Sequence, residues 1–306
     1  MSSKKLKVCP SIRKLKLEAI FHPKFENGGP DTEIRTKMLT KVAANEGYIE
    51  ASLKHSGSLL LWSGGEYFYS KNSTNNVFTK VGMILLKQHF SRCFGSIKGS
   101  QEYRRCSDYI QKNRLTCSFE VVTSVVGHHG EIPKRDYLIL IAVADRSDGK
   151  GRFYSTSELV KFAHQFRLPH NDTWVFSSSL TCEALFKTYD NTRETGMATA
   201  VIKKLDQIIA QDMNEDCTKV SSLYPHVLFQ GDILEGIVIR YVSYTDTVGE
   251  KRSNLDEMKE LCTASNELLQ KVPPSQTMGQ APNISKCLHI ENVDLRALES
   301  SKGDLS

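Results

Sequence analysis

Ser52-Leu53-Lys54-His55-Ser56-Gly57-Ser58 is the stretch on which the reading of this chain turns. Upstream of it, Tyr48-Ile49-Glu50-Ala51-Ser52-Leu53 reads as a strand with weak alternation, and Ser58-Leu59-Leu60-Leu61-Trp62 reads as the strand after it. Lys54-His55-Ser56-Gly57 is the break between them, and its small residues let backbone come close to a ligand. A lysine where a buried strand ends can be desolvated, and a neutral amine attacks phosphorus or carbon. The same letters also fit a surface lysine in a hairpin turn, so the choice falls to the rest of the chain.

Outward from that stretch, residues 31–47 read as a short helix leading into the first strand. After Trp62, Ser63-Gly64-Gly65 makes a turn and Glu66 to Ser70 returns as a strand, followed by the polar run Lys71 to Asn76. Val81, Ile84, Leu85, Phe90 and Phe94 stand at helical spacing, and residues 95–113 are rich in Arg and Lys, a basic loop or helix. Thr116 to Thr123 reads as a buried strand with Glu120 in its middle. A charge there needs a partner, and a hydroxyl or an arginine would serve. Gly127-His128-His129-Gly130 follows as a turn; neighbouring imidazoles on a strand point to opposite faces, which argues against a shared metal.

Tyr137 to Val143 is the most apolar strand and belongs in a central sheet. Ser155-Thr156-Ser157-Glu158 is a capping box opening a helix to about Arg167, with Leu168-Pro169 ending it. Thr173 to Ser177 is a short strand, 181–210 is helical with a break at Gly196, and Met213 to Ser222 is a polar loop. His226 to Arg240 gives two strand pieces, in which alternation puts Glu235, Ile237 and Ile239 on one face. Asn254-Leu255-Asp256-Glu257 caps a last amphipathic helix to about Lys271. Strands interrupted by helices without regular alternation argue for an α+β fold of mostly antiparallel sheets flanked by helices. No P-loop and no Gly-x-Gly-x-x-Gly is present, so neither a kinase-type nor a Rossmann site is supported.

The 306 residues are 40% hydrophobic and 25% charged, which suits a globular protein with a sizeable core. No apolar run reaches the roughly 18 residues of a membrane span, and there is no apolar stretch for a secretory signal. A nuclear or cytoplasmic, non-secreted protein without a membrane partner is expected; eight scattered cysteines without zinc spacing favour free thiols. Net charge is +5 but uneven: residues 1–25 carry seven Lys/Arg and one Glu, whereas 246–306 carry ten Asp/Glu against seven Lys/Arg. The body is therefore more basic than the total, as suits a polyanionic partner. The expected division is 1–35 as a basic flexible segment, 36–245 as the main domain, and 246–306 as a helix with an acidic flexible tail.

Three blocks in order carry a family resemblance: Lys54-His55-Ser56-Gly57, then Phe119-Glu120-Val121-Val122-Thr123 with Gly127-His128-His129-Gly130, then Glu235-Gly236-Ile237-Val238-Ile239-Arg240. They resemble the signature blocks of covalent nucleotidyltransferases, and the adenylyltransferase domain of plant-type and fungal-type tRNA ligases in particular. Phe153 to Glu158 and Arg167-Leu168-Pro169 look plant-like, and the resemblance spans roughly residues 40–245. It implies a nucleotidyltransferase (RNA ligase) domain and an ATP-dependent RNA ligase of the tRNA-splicing type. Lys54 would form the lysyl-AMP intermediate, AMP would pass to an RNA 5′-phosphate, and the ends would then be joined. The resemblance further implies that Lys71 helps hold phosphate and that Glu120 accepts from the ribose hydroxyls. Tyr137 would stack on adenine, although core packing fits it equally. Glu235 would organise Mg²⁺ and Arg240 would face phosphate. The implied cofactors are ATP and Mg²⁺; the implied partners are RNA, as tRNA halves, and separate end-healing kinase and phosphodiesterase enzymes. The departures are His55, Ser56 where many relatives carry Asp, and the lack of Lys-x-Lys in 241–306. These departures leave the alternative of a truncated, catalytically weak RNA-binding or regulatory form.

Overall fold

A computed structural model describes residues 17–22, 32–71, 73–125, 133, 135–193, 198–223, 235–244 and 253–271. The Gly127-His128-His129-Gly130 turn, the Gly196 break, the first strand piece at 226–234, the segments 1–16 and 23–31, and the tail 272–306 lie outside the described residues.

Among the described residues, nine strands form two antiparallel sheets. One has four strands: β1 (Gly47–Lys54) lies between β7 (Thr173–Phe176) and β9 (Gly236–Ser243), with β8 (Cys217–Val220) beyond β7. The other has five, in the order β3 (Phe68–Ser70), β2 (Ser58–Trp62), β4 (Leu115–Val122), β5 (Tyr137–Asp145) and β6 (Arg152–Phe153). The α+β class with antiparallel sheets is therefore what the chain adopts. The break after Lys54 is not a hairpin. β7 and β9 already occupy both edges of β1, from Ile49↔Phe176 on one side to Lys54↔Gly236 on the other, so β2 has no edge to pair with and starts the second sheet. Residues 55–57 are the crossing between sheets.

Alternation along β1 sorts its side chains. Ile49, Ala51 and Leu53 face outward with Trp174 and Phe176 of β7 and Ile237 and Ile239 of β9. Helices α5 (Ser179–Arg193) and α6 (Ala198–Gln211) cover that layer through Leu185, Phe186, Val201 and Leu205, and α1 (Thr32–Ala43) adds Val42. The second sheet is covered in the same way. Leu60, Cys117, Phe119 and Leu140 pack under α2 (Val77–Phe94), α3 (Ser96–Lys112) and α4 (Thr156–Phe166). Truncating one of these buried aromatic rings would cost about 3–5 kcal/mol.

The inner face of the four-stranded sheet is shared between two environments. At one end Tyr48, Val175, Val220 and Tyr244 are closed off by Val160 of α4 and by Met258 and Leu261 of α7 (Ser253–Lys271). At the other end Ser52, Lys54, Val238 and Arg240 are left facing a hollow between the two sheets. The helix expected after Asn254 thus closes the core rather than standing off it. Leu17–His22 also lies against the body: Arg146 donates to the Leu17 carbonyl at 2.9 Å, Ser63 to that of Glu18 at 2.7 Å, and the His22 ring stacks on Phe153 at 3.7 Å.

Local signals account for most element ends. Ser155 caps α4 in a capping box with Glu158, and Arg167 ends that helix in the left-handed conformation at φ 53°. The basic segment 95–113 is helix α3, because its apolar positions pack Cys106 and Ile110 into the core while its charges face out. The polar run 213–222 contains β8, which alternation did not reveal. As an edge strand it buries only Cys217 and Val220, on opposite faces. Among the described residues no helix is long and apolar enough to cross a membrane.

Candidate functional site

A cavity of about 590 Å³ lies at the crossing between the sheets. Lys54, the last residue of β1, reaches it from the four-stranded sheet, together with Val238 and Arg240 of β9. Glu120 of β4, Leu59 of β2 and Ile141 of β5 reach it from the five-stranded sheet. Lys71, directly after β3, and Glu235, directly before β9, complete the charged rim. Leu59, Ile141 and Val238 form an apolar floor between two carboxylates and three cations.

Five of the six residues singled out from the sequence therefore line one cavity: Lys54, Lys71, Glu120, Glu235 and Arg240. Tyr137 does not. It is 5% exposed, and its hydroxyl lies 3.1 Å from Nδ1 of His55, behind the cavity wall. Burial pushes its phenol above the ordinary value. The packing alternative is what Tyr137 adopts, and the aromatic ring on the cavity wall is that of Phe21 instead.

Lys54 is ion-paired with Glu235. Strand alternation put Glu235 on the face of Ile237 and Ile239, which is the core side. Glu235 precedes the first β9 residue, Gly236, so it is outside the ladder and turns instead toward Lys54. Among the described residues, Glu120 has neither a hydroxyl nor an arginine as its partner. Its carboxyl is raised to about 7: burial raises it most, Glu235 adds to the rise, and Lys54 and a hydrogen bond from the Gly57 amide oppose it. Gly57 is held to glycine by this contact, since a Cβ there would sit 2.5 Å from the Val121 carbonyl oxygen. Gly57→Ala must push two backbone segments apart and displace the amide from Glu120. It is expected to cost about 1–3 kcal/mol, read as a lower melting temperature, with the cavity's chemistry impaired beyond the loss of fold.

The sequence reading missed how Lys54 is held in place. His55 is buried, and its Nε2 is 2.5 Å from Asn171 Oδ1, while Asn171 Nδ2 donates to the Leu53 carbonyl at 3.1 Å. With the amide nitrogen of Asn171 committed as donor, Nε2 of His55 carries its proton and Nδ1 accepts from Tyr137. The chain from Tyr137 through His55 and Asn171 back to Leu53 clamps the backbone on both sides of Lys54. Adjacent polar residues in a break carry no period, so no pattern in the sequence signals this chain.

Arg240 stands at the boundary of a smaller cavity behind the first. Its Nη1 is 3.3 Å from Glu50 Oε2 and donates to Thr156 Oγ1 at 3.0 Å, while Thr156 donates to the same carboxylate at 2.6 Å. Burial raises the Glu50 carboxyl above its ordinary value, and Arg240 opposes that rise. Glu50 and Arg240 are direct partners across β1 and β9. The signal that could have found this pair is a glutamate at a core position of one strand and an arginine within an apolar run of another.

The only metal ligands suggested from sequence were carboxylates, and among the described residues no group of three or more His, Cys, Asp or Glu gathers as a metal site. Two carboxylates lining the same cavity leave room for a hard cation completed by a ligand's own oxygens.

No family model matches the chain. Over 283 residues it is 38% identical to tRNA ligase 1 of Arabidopsis thaliana, a match covering 85% of this chain and 25% of that protein. The chain thus spans about a quarter of the length of the curated relative it matches. Homology of this extent, together with the ordered blocks around Lys54, Glu120 and Glu235, makes the chain a relative of the plant-type tRNA ligases.

Proposed function

We propose that this chain is the adenylyltransferase domain of an RNA ligase of the tRNA-splicing type. The observation that carries the reading is the meeting of Lys54, Glu120 and Glu235 in one cavity, from two sheets and from positions up to 181 residues apart. A surface lysine in a hairpin would have no reason to share a wall with either carboxylate.

The chemistry follows from the residues. ATP would enter with its base against the Leu59, Ile141 and Val238 floor and the Phe21 ring, and with its phosphates among Lys54, Lys71 and Arg240. Lys54 Nζ attacks the α-phosphorus once its proton has left; the new N–P bond forms as the bond to pyrophosphate breaks. Glu235 would hold Mg²⁺, which neutralises triphosphate charge when bound. Glu120 accepts from the ribose hydroxyls. The Tyr137–His55–Asn171 chain fixes the backbone so that Lys54 meets the phosphorus in line. AMP then passes to the 5′-phosphate of one RNA end, and the 3′-hydroxyl of the other displaces it. RNA ends prepared by separate kinase and phosphodiesterase activities, such as tRNA halves, are the substrates this scheme needs.

Incubation with α-labelled ATP and Mg²⁺, followed by denaturation, is expected to leave label on the chain. Chasing with 5′-phosphorylated RNA should move it. A native protein that takes no label rejects the enzyme reading. Label that forms and never transfers points to the second reading, a catalytically weak RNA-binding form, which the missing Lys-x-Lys in 241–306 favours.

A further inference from the structure

Helices α2 and α3 with the turn between β2 and β3 frame a second groove, of about 460 Å³, away from the Lys54 cavity. α2 contributes Lys87 and Ser91; α3 contributes Ser100, Tyr103, Arg104 and Ser107. Each set stands at helical spacing of three or four, so both form stripes along the groove walls. The helices approach closely where Gly99 meets Phe90, with a Cβ there only 2.7 Å from the Phe90 carbonyl oxygen. That approach fixes one end of the groove. Tyr67 follows the groove's Gly65 and Glu66 in the same turn; it is 58% exposed, and its Cδ2 lies 3.6 Å from where a Cβ on Gly65 would stand.

Helices α2 and α3 are basic, and two of their cations, Lys87 and Arg104, line the groove. Residues 77–114 hold eight Lys/Arg and two Asp/Glu, a net +6 within a chain of net +5. Among the described residues neither Lys87 nor Arg104 has a carboxylate partner within ion-pair distance; Lys87 lies instead over the Tyr103 ring at 5.8 Å. Among the described residues, Glu66 is the one acid lining the groove.

We infer that this groove binds the single-stranded backbone of an RNA whose end reaches the Lys54 cavity. Lys87 and Arg104 neutralise phosphates, the serine hydroxyls donate to their oxygens, and Tyr67 offers a stacking face to a base. The aromatic lip favours single-stranded nucleic acid over an acidic peptide, which would use the cations and leave an exposed ring without purpose. The distance also fits. Tyr67 is joined to Lys71, on the cavity rim, by β3, a span of four residues or about 13 Å in extended chain. That is about four nucleotides at the 3.4 Å rise of a stacked strand. The identity of the polymer rests on the ligase reading above; the groove's anion-binding chemistry does not.

The test is binding of the full chain to a labelled 5′-hydroxyl single-stranded RNA without ATP, at several salt concentrations. Lys87→Glu with Arg104→Glu is expected to weaken binding tenfold or more, and to lower the salt slope by about 1.4, at about 0.7 for each phosphate no longer neutralised. Tyr67→Ala should weaken single-stranded binding about fivefold, as one base loses its stacking face, and leave duplex binding unchanged. Lysyl-AMP labelling should match the native protein in all these variants. If the double charge reversal unfolds the chain, Lys87→Gln with Arg104→Gln carries the same test at half the charge change. Unchanged affinity and slope in a folded variant overturns the inference, as does tighter binding of polyglutamate than of RNA by the native groove. Because no ATP is present, failure to label Lys54 in any protein would sink the ligase reading without touching this result.

Discussion

Lys54→Ala is expected to abolish transfer of AMP to the protein, by about three orders of magnitude or more, while leaving the fold intact. The loss is this large because the other cations of the cavity enter from elsewhere, Lys71 from the loop after β3 and Arg240 from β9, and would not take over the covalent step. The fold survives because the Lys54–Glu235 ion pair is open to water, with side chains 49% and 36% exposed, and such pairs contribute about 0–1 kcal/mol. Lys54→Arg should fail equally, since a guanidinium keeps its proton. Labelling of the denatured protein and a thermal melt read the two halves of this prediction. An unlabelled but equally stable variant is the expected pair of results. Label persisting in Lys54→Ala would remove the assigned nucleophile.

Glu120→Gln is expected to move stability and activity in opposite directions. The folded carboxyl titrates at about 7, against an ordinary value near 4.5, because burial and Glu235 both disfavour its charge. Between those two values the folded chain keeps a proton that the unfolded chain has lost, so stability falls as pH rises through that window. Above about pH 7 the native protein carries the full cost of a charged, half-buried Glu120. Glutamine keeps an oxygen for the Gly57 amide and removes that charge. The variant should gain about 1–2 kcal/mol over the native protein at pH 8, a figure reduced for partial exposure, with the gain vanishing toward pH 4.5. Its AMP labelling should drop at pH 8, and native labelling should itself decline as pH falls below about 7, when Glu120 becomes protonated. Denaturant melts at both pH values check the first part. A variant less stable than the native chain at pH 8 would mean that Glu120 is held by contacts stronger than its burial cost. Stabilisation by removing a site's charge is the expected mark of a residue kept for function rather than for fold.

The site also ties activity to the quality of the crossing between the sheets. Lys54 is at the last paired position of β1, and its backbone is fixed by Asn171 and His55 rather than by further ladder. Gly57 then brings the chain against Val121 so that its amide reaches Glu120. Lys54 and Glu120 are thus held by one four-residue break.

Several features could be taken from the residues themselves. The Ser155 capping box, the helical spacing of Val81 to Phe94 and the apolar run at 137–143 each encode their element locally, by hydrogen bonding or by period. The order of three short blocks was enough to single out Lys54, Glu120 and Glu235. Pairing lies beyond local pattern. Whether β1 and β2 form a hairpin depends on β7 and β9, which occur more than a hundred residues later and saturate both edges of β1. The same competition brings Glu235 out of its strand's alternation and onto Lys54, gives Glu50 its arginine, and turns Tyr137 inward to His55. Residue type and spacing determined which groups could do chemistry. Only the long-range strand pairing, which decides the partner of each edge and the side on which each face is buried, determined which of those groups meet.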